Sequence, residues 1–444
     1  MKIVLFLMMV LWSLNGQANS LNLQEKQTSG MKVWTFHHNQ NPLIGMCLIF
    51  PHGTTSESEA LDGACHVMNS VLFEGTPKYP NEKLRDFLDN HGLKISVSHQ
   101  LNHTKVFMLC PTTELPFLFE AMAEIFANPL FPEDRLAHVK RLTISSLKGL
   151  GESQHYHMDQ VFKQIACKGH ACERSHVGSE KTLEALTSPA LKEVFQKIYN
   201  RDGLKVVMGG DLTKDRVEQI LVHIEKVFNA DPSDAAHPLP LAPSTLTGKS
   251  HFIHFDSPQA HISYYKKGMT LNDPRFFALR VGNFIVGGNG MKSRLSQSLR
   301  KEKALVYSIG EGMDSTPYQS LITGWTTTKV DTVDPVIKQI KKVFKTVQEK
   351  GVTLEELKGA KILLQAGFSR YFRTLQGSLF VLADFMESGL PVTYCDQRNG
   401  FIEAVTLEQV NDVLHDFYDP SQMTTIISGN KAPQSAILEH ITLP

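Results

Sequence analysis

Residues 205–211 of this chain read KVVMGGD, and residues 424–430, 219 positions further on, read TTIISGN. Each copy is a short apolar run with β-branched residues that ends in glycine and then Asp or Asn. That pattern is typical of a buried strand followed by a turn. The glycine and the Asp or Asn fall in the same register in both copies. The match indicates an internal duplication of the chain.

The sequence on the N-terminal side of both strands also matches. Thr187 and Thr406 stand at the same offset, and threonine is a residue type that caps the start of a helix. A helix-like pattern follows each threonine and reaches Tyr199 in the first copy and Tyr418 in the second. Because all of these features agree in register, we predict two similar halves.

A change of composition separates the two predicted halves. Residues 231–250 contain four prolines among small and polar residues. Proline interrupts helices and favours extended chain, so this segment is expected to be a linker. We therefore expect an N-terminal lobe at residues 21–230 and a C-terminal lobe at residues 251–444.

Helical and strand patterns mix within each half without strict alternation. Helices are expected at residues 60–73, 115–127, 274–286 and 336–348, and residues 94–110 are rich in strand formers. This mixture favours an α+β architecture in which each lobe is an antiparallel-rich sheet packed with helices.

The composition excludes several classes of protein. The chain has 444 residues, of which 42% are hydrophobic, and its 45 basic residues balance its 45 acidic ones. A disordered chain would be less apolar and less evenly charged. A nucleic-acid-binding protein usually carries a concentrated basic footprint, and no long run of Lys or Arg is present. We expect a folded protein with no nucleic-acid partner.

The first twenty residues resemble an export signal. Lys2 precedes a twelve-residue run, 3–14, that is apolar except for Ser13, and small residues around Ala18 and Ser20 suit cleavage. Twelve residues are too few to span a bilayer, which takes about 20. We expect an exported protein without a membrane span once residues 1–20 are removed, periplasmic in a Gram-negative bacterium and otherwise secreted. An uncleaved anchor is the alternative.

Export would also permit disulfide bonds. Cys167 and Cys172 are close enough in sequence to pair, whereas the other four cysteines are scattered. Cys65 lies in a helical apolar pattern, which favours a buried thiol.

Residues 63–76 read GACHVMNSVLFEGT. This segment resembles the metal-binding helix of the M16 metallopeptidases (pitrilysin, insulinase and mitochondrial processing peptidase), in which His-x-x-Glu-His precedes a Leu-Phe-x-Gly-Thr ending. The resemblance extends over nearly the whole mature chain and implies a fold of two similar lobes. Its other landmarks are residues 131–133, 170–174, 210–211, 293–295 and 299–308.

The metal motif departs from the family pattern. His66, Asn69 and Ser70 share one helical face, where the family has a zinc ligand, the general-base Glu and a second ligand. The third ligand, a Glu on a later helix, falls on Ser146. An amide cannot accept a proton from a metal-bound water, and serine is a poor zinc ligand. We expect no zinc site on this chain.

A second family feature is intact. The family carries an Arg and a Tyr seven residues apart in its C-terminal half, and Arg300 and Tyr307 match them. An arginine fork can bind a peptide carbonyl, and a tyrosine hydroxyl can donate to the oxyanion of a tetrahedral intermediate. In M16 heterodimers one subunit carries the zinc and the other the Arg/Tyr pair. The resemblance therefore implies a zinc-less subunit that supports peptide hydrolysis with a zinc-bearing M16 partner.

The family also binds extended peptide along a sheet edge, by strand addition. The matching segment contains Ser96 and Val97, where the family often has Asn-Ala. These two residues are the candidate substrate-binding positions, and an ordinary strand is the alternative.

Two other functions remain open from the sequence. One is a peptide-binding or scaffolding protein with no role in proteolysis. The other is independent metallopeptidase activity through a different metal site. For such a site, the candidate cluster combines His and Cys side chains whose spacing fits no paired Cys-x-x-Cys pattern: His155, His157, Cys167, His170, Cys172 and His176.

Overall fold

A computed structural model of the chain describes residues 21–38, 41–127, 129–230, 246–315, 320–434 and 438–440. The expected export signal at residues 1–20 and most of the expected linker, residues 231–245, lie outside the described residues. No helix in these described ranges is both long enough and apolar enough to cross a membrane.

The first half forms a six-stranded sheet. Its strands are β1 (Gln24–Thr28), β2 (Met31–His37), β3 (Leu43–Phe50), β4 (Lys94–His99), β5 (Thr104–Pro111) and β6 (Lys205–Gly210). Their spatial order is β1-β2-β6-β3-β5-β4. Neighbouring strands are antiparallel except β2 and β6, which run parallel. The strand β4 lies at one edge of this sheet.

The second half forms a second six-stranded sheet. Its strands are β7 (Ser250–His254), β8 (Gln259–Lys267), β9 (Ile309–Ser315), β10 (Ser320–Lys329), β11 (Thr424–Gly429) and β12 (Leu438–His440). Their order is β12-β7-β11-β8-β10-β9, so the order of the first sheet is repeated with β12 in the place of β1. The strand β11 runs parallel to β7, as β6 does to β2.

Helices pack on both sheets. Those of the first half are α1 (Ala64–Leu72), α2 (Lys83–Asn90), α3 (Leu115–Met122), α4 (Glu133–Leu150), α5 (Gln154–Ala166), α6 (Glu180–Ala185), α7 (Ser188–Ile198) and α8 (Lys214–Val227). Those of the second half are α9 (Phe276–Asn283), α10 (Val333–Lys350), α11 (Leu354–Ser369), α12 (Leu375–Glu387), α13 (Tyr394–Ala404) and α14 (Leu407–Phe417).

The repeat predicted from the sequence is confirmed in detail. Helix α7 and strand β6 return as α14 and β11 at the same offset of 219 residues. The Thr187 hydroxyl accepts the Ala190 amide proton at 3.4 Å, and the Thr406 hydroxyl accepts that of Gln409 at 3.2 Å. Tyr199 and Tyr418 are both buried where their helices end. The α+β, two-lobed architecture is therefore that expected from the sequence.

The predicted helices are present with shifted ends. The first begins at Ala64 rather than at residue 60, because Gly63 adopts a left-handed φ of +92° that separates a short 3-10 turn from α1. Two others continue as π-helical turns, α3 through Ala123–Ala127 and α9 through Phe284–Gly288. Such turns insert an extra residue into a helix and are common at functional sites.

Each lobe has its own hydrophobic core, but each sheet also borrows a helix from the other half. On the outer face of the first sheet, Trp34 and Phe36 pack against Leu379 and Leu382 of α12. On the outer face of the second sheet, Ile253 and Ile426 pack against α5. Helix α5 follows α4 in the first half, and α12 follows α11 in the second, so the exchange is reciprocal.

Polar contacts also hold α12 and α5 on the sheets that they cover. Lys105 of β5 pairs with Glu387 of α12 at 2.9 Å, and the His103 ring approaches the same carboxylate at 2.9 Å. On the other side, the Gln154 side chain donates to the Gln259 carbonyl at 3.2 Å. The lobes are therefore held together by two buried helix–sheet contacts rather than by the linker alone.

Candidate functional site

Helix α1, which carries the altered metal motif, is anchored at its start by a buried carboxylate. Glu57 accepts the Gly63 amide proton at 3.0 Å and that of Cys65 at 2.5 Å, so it satisfies donors that a helix start leaves free. Burial raises the pKa of Glu57, and these amide donors oppose that rise. Cys65 itself is buried, as the sequence predicted.

A loop from the same half supports this helix start. Arg174 donates from its Nε to Asp62 at 2.8 Å and from its Nη2 to the Glu57 carbonyl at 3.1 Å. Cys167 and Cys172, which the sequence spacing allowed to pair, are joined by a disulfide at the base of the loop. The loop backbone lies so close to Gly63 that a Cβ there would be 2.5 Å from the Val177 carbonyl oxygen.

The structure places the four altered metal positions on two packed helices. His66, Asn69 and Ser70 lie on α1, and Ser146 lies on α4, which packs against α1. His66, Ser70 and Ser146 reach the surface, whereas Asn69 is half-buried. The Ser70 hydroxyl donates to the His66 carbonyl at 3.4 Å, a contact within the helix.

These residues do not fit a catalytic zinc ion. Such an ion takes three protein ligands plus a water, and the set offers one imidazole, one amide and two hydroxyls. Within the described part of the chain, no three His, Cys, Asp or Glu residues lie close enough to hold a metal ion. Desolvation lowers the pKa of His66, which keeps the ring neutral, but one neutral imidazole does not hold zinc tightly.

Asn69 makes a contact that the sequence did not indicate. Its amide nitrogen donates to the Val97 carbonyl at 3.2 Å, which ties α1 to the edge strand β4. The Val97 side chain packs on the core of the first lobe, while Ser96 points the other way, towards solvent. Ser96 lines a cavity of about 530 Å³ between β4, β5 and α12.

Strand β4 ends at a histidine that is kept neutral. The His99 Nδ1 lies 2.8 Å from the Thr104 hydroxyl, and its Nε2 is buried. Burial, helped by the nearby His66, lowers the pKa of His99 to about 4. His99 was missed in the sequence because it is separated from α1 by some thirty residues (66 to 99) and belongs to no motif.

The second predicted pair is brought together by the structure. Arg300 lies on a π-helical segment, Ser296–Glu302, and its guanidinium carbon lies 5.0 Å from the centre of the Tyr307 ring. Ala304, with a left-handed φ of +50°, turns the chain between them. The Tyr307 side chain is 82% exposed, so its hydroxyl can be reached from outside the chain.

Arg300 and Tyr307 line an open cavity of about 800 Å³ on the second lobe. Its other walls come from the start of β8 and the end of β10, including His261, Thr327 and Lys329. These residues were not found from the sequence, because only the pairing of β8 with β10 brings them beside Tyr307. The Arg300 guanidinium and the Tyr307 hydroxyl can both donate hydrogen bonds to a carbonyl oxygen bound in this cavity.

The altered metal positions lie on the first lobe, and Arg300 and Tyr307 lie on the second. Helix α5 connects the neighbourhoods of the two sites. Near its start, the His155 ring lies 4.5 Å from that of His261 beside the Tyr307 cavity. Further along, burial lowers the pKa of His176; Lys163 of α5 and His66 lower it further, and Asp159 of α5 opposes them. The His and Cys side chains of the candidate separate metal cluster form no metal site among the described residues: His155 and His157 lie on α5, and Cys167 and Cys172 are joined in the disulfide.

Comparison with known proteins settles the family. The model of the insulinase domain of peptidase family M16 matches residues 32–179, and the model of the peptidase M16 inactive domain matches residues 185–364. The chain belongs to the M16 peptidase family. The first match contains the altered metal positions, and the second contains Arg300 and Tyr307.

Relatives of this M16 chain cover nearly its whole length. A non-peptidase homologue, YmxG of Helicobacter pylori, is 22% identical over 94% of this chain and 95% of its own length. A structure of a peptidase M16 inactive domain from Pseudomonas fluorescens superposes with a TM-score of 0.86 at 20% identity, covering 94% of this chain and all of that one. A Helicobacter pylori protease superposes with a TM-score of 0.81 at 16% identity, covering 92% and 99%. The two-lobed fold is thus that of the family.

Proposed function

We propose that this chain is the zinc-less subunit of an exported, heteromeric M16 peptidase. It would supply Arg300 and Tyr307 to a peptide whose scissile bond is held by a zinc-bearing M16 partner. The observation that carries the proposal is the contrast between the two sites: the metal positions are neutral, whereas Arg300 and Tyr307 stand together beside an open cavity.

The replaced metal positions support a role that depends on a partner. Asn69 and Ser146 lack the carboxylates that the family uses as base and ligand, so this chain has no group there to activate water. The name of the Helicobacter pylori relative, a non-peptidase homologue, points the same way. Zinc is therefore assigned to the partner, and none to this chain.

The exposure of Tyr307 supports action on a substrate held by another chain. As the peptide bond is attacked, negative charge develops on its carbonyl oxygen, and the Tyr307 hydroxyl would donate a hydrogen bond to it. The Arg300 guanidinium would hold the peptide by a neighbouring carbonyl. Both groups lie at the surface, where a substrate bound by a partner can reach them.

Other features support export and peptide contact. The apolar run of residues 3–14 resembles a signal, and the Cys167–Cys172 disulfide suits an oxidising compartment such as the periplasm or the exterior. Ser96 and Val97 lie on an edge strand, which is where an extended peptide can add. We assign them to substrate binding on this basis.

The test is to reconstitute the complex with a zinc-bearing M16 chain from the same organism and measure peptide cleavage. Tyr307→Phe removes one hydrogen-bond donor and is expected to lower kcat about 10²- to 10³-fold, the usual loss for an oxyanion donor. Tyr371→Phe, at another exposed tyrosine of the second lobe, is the matched control and should leave kcat unchanged. Full activity of the Tyr307→Phe complex would refute the role given to this hydroxyl.

A zinc measurement on each chain tests the division of labour. Stoichiometric zinc is expected in the partner and not in this chain. If this chain alone binds zinc and cleaves peptides, the proposal is wrong. If no pairing raises cleavage while peptides still bind, the chain is a peptide-binding or scaffolding protein.

A further inference from the structure

The cavity beside Tyr307 has cationic walls. Two of its lining side chains, Arg300 and Lys329, are positively charged, and no carboxylate lines it among the described residues. We propose that this cavity selects peptides that carry a carboxylate next to the segment contacting Tyr307, that is, acidic peptides. This inference rests on the proposed function, because it names the substrate class of the same site.

The Arg300 guanidinium is available to a ligand because no carboxylate among the described residues pairs with it. Its guanidinium contacts the Met291 sulfur and the Tyr307 ring, and it forms no ion pair among the described residues. Arg294, on the same stretch of chain, shows the contrast: it binds both oxygens of Glu356 at 2.7 Å. A guanidinium has five N–H donors, so Arg300 can bind a carboxylate through two parallel hydrogen bonds and still donate to a peptide carbonyl.

Lys329 adds a second uncompensated charge to the lining of the cavity. It ends strand β10, directly across from Gln259 of β8, and its side chain is exposed. The nearest acid along the chain, Asp331, is already paired with Lys431 at 2.6 Å. Lys329 itself forms no ion pair within the described ranges, so both cations of the cavity face it unopposed.

The neutral walls suit a peptide rather than a small anion. Ser308 and Thr327 provide hydroxyls, and burial lowers the pKa of His261, which leaves a neutral ring as a hydrogen-bonding group. Beyond Thr327 on the same strand, Trp325 is 54% exposed and its ring lies over Gly310 of the edge strand β9. A cationic cavity next to an exposed indole can take an acidic group and an apolar neighbour of one peptide.

The test is equilibrium binding to the full chain, followed by fluorescence anisotropy. The probes are a labelled, C-terminally amidated peptide of Ala, Gly, Ser and Leu with Asp at every third position, and the same peptide with Asn or Lys instead of Asp. The Asp peptide is expected to bind about fivefold more tightly than the Asn peptide for each charge contact, and the Lys peptide most weakly. Higher salt should remove the difference. Equal affinity for the three peptides would overturn the proposal.

Two variants locate the effect. Lys329→Glu is expected to abolish or invert the preference for the Asp peptide, whereas Lys192→Glu makes the same charge change at an exposed lysine on α7 of the other lobe and should preserve it. A preference that survives Lys329→Glu would overturn the assignment to this cavity. The Asn peptide with a free C-terminus distinguishes binding of a terminal carboxylate from binding of a side-chain carboxylate. If this peptide binds as tightly as the Asp peptide, the cavity binds the carboxylate of the chain terminus.

This assay requires neither the partner nor cleavage, so its failure is separate from that of the proposed function. Equal binding of all peptides, together with a complex that needs Tyr307, would overturn the selectivity alone. Charge-selective binding, together with a complex insensitive to Tyr307→Phe, would overturn the catalytic role alone.

Discussion

Asn69 lies at the position that the family resemblance gives to the general base, and its amide has a contact that a carboxylate could not make. It donates to the Val97 carbonyl of the edge strand at 3.2 Å, whereas a glutamate would bring an acceptor against an acceptor. Asn69 therefore holds α1 to β4 by a bond that a glutamate at this position would lose.

That contact predicts the outcome of restoring the base. Asn69→Glu is expected to destabilise the fold by about 1–2 kcal/mol, because the half-buried carbonyl of Val97 loses its donor. Ser70→Ala, one residue further along α1 at an exposed position, is the control and should change stability by no more than about 0.5 kcal/mol. Urea unfolding measures both. A stability of Asn69→Glu equal to that of the parent would show that the bond to Val97 contributes nothing.

His99 gives a second prediction for a single residue, on pH. Burial holds its folded pKa near 4, below the ordinary value of 6.5. Between those two pH values the unfolded chain binds a proton that the folded chain does not, so stability falls as pH falls from 6.5 to 4. The loss attributable to this ring is about 3 kcal/mol.

The measurement compares urea unfolding at pH 7 and pH 4.5 for the parent and for His99→Gln. The pH-dependent loss of stability should be smaller in the variant, because glutamine does not titrate. His254→Gln, at an exposed histidine, should keep the full loss. An unchanged loss in His99→Gln would show that this ring is not the neutral, buried group described here.

The elements show how much of the fold could be read from the sequence. The repeat of α7 and β6 as α14 and β11 was predicted, because cap, helix and buried strand are local patterns. The helix borrowed by each sheet was not. Trp34, Phe36 and Cys47 make β2 and β3 apolar on both faces, which indicates two-sided burial but not which helix covers the second face.

The residues of the candidate sites were likewise only partly predictable from the sequence. Arg300 and Tyr307 could be proposed as a pair because the resemblance to the M16 family implies an Arg and a Tyr seven residues apart in the C-terminal half, and these two residues match them. Lys329 and His261 could not be added, since their place in the cavity depends on the pairing of distant strands. The bond between Asn69 and Val97 is missed for the same reason.

The disulfide loop provides a prediction for an element. Cys167 and Cys172 are five residues apart, so the chain-entropy model gives their bond about 2 kcal/mol of stability. The Cys167→Ser/Cys172→Ser variant is expected to lose that amount in urea unfolding and to become insensitive to dithiothreitol. Cys395→Ser, which removes a free thiol, should remain as sensitive to the reductant as the parent. A parent stability that reductant leaves unchanged would contradict this account.

At the scale of the whole molecule, the two lobes complete each other. In the sequence, helix α12 lies between α11 and α13, which contribute Leu357 and Ile402 to the core of the second lobe. The apolar side of α12 nevertheless covers the first sheet. Helix α5 does the reverse. Unfolding either lobe would expose an apolar sheet face of the other. We therefore expect the described lobes to unfold as one cooperative unit.

Leu379→Ala tests that cooperativity. Leu379 of α12 is fully buried against β3. Its side chain lies so close to the strand that a Cβ on Gly45 would be 2.5 Å from it. Truncation of Leu379 should therefore cost about 3 kcal/mol of stability. Ile362→Ala, at a residue of α11 that is 65% exposed, is the control and should cost less than about 0.5 kcal/mol. Hydrogen exchange should then show that Leu379→Ala lowers protection of β3 in the first lobe and β11 in the second by the same free energy. Loss of protection in β3 alone would mean that the lobes unfold independently, and that α12 only rests on a sheet that does not need it.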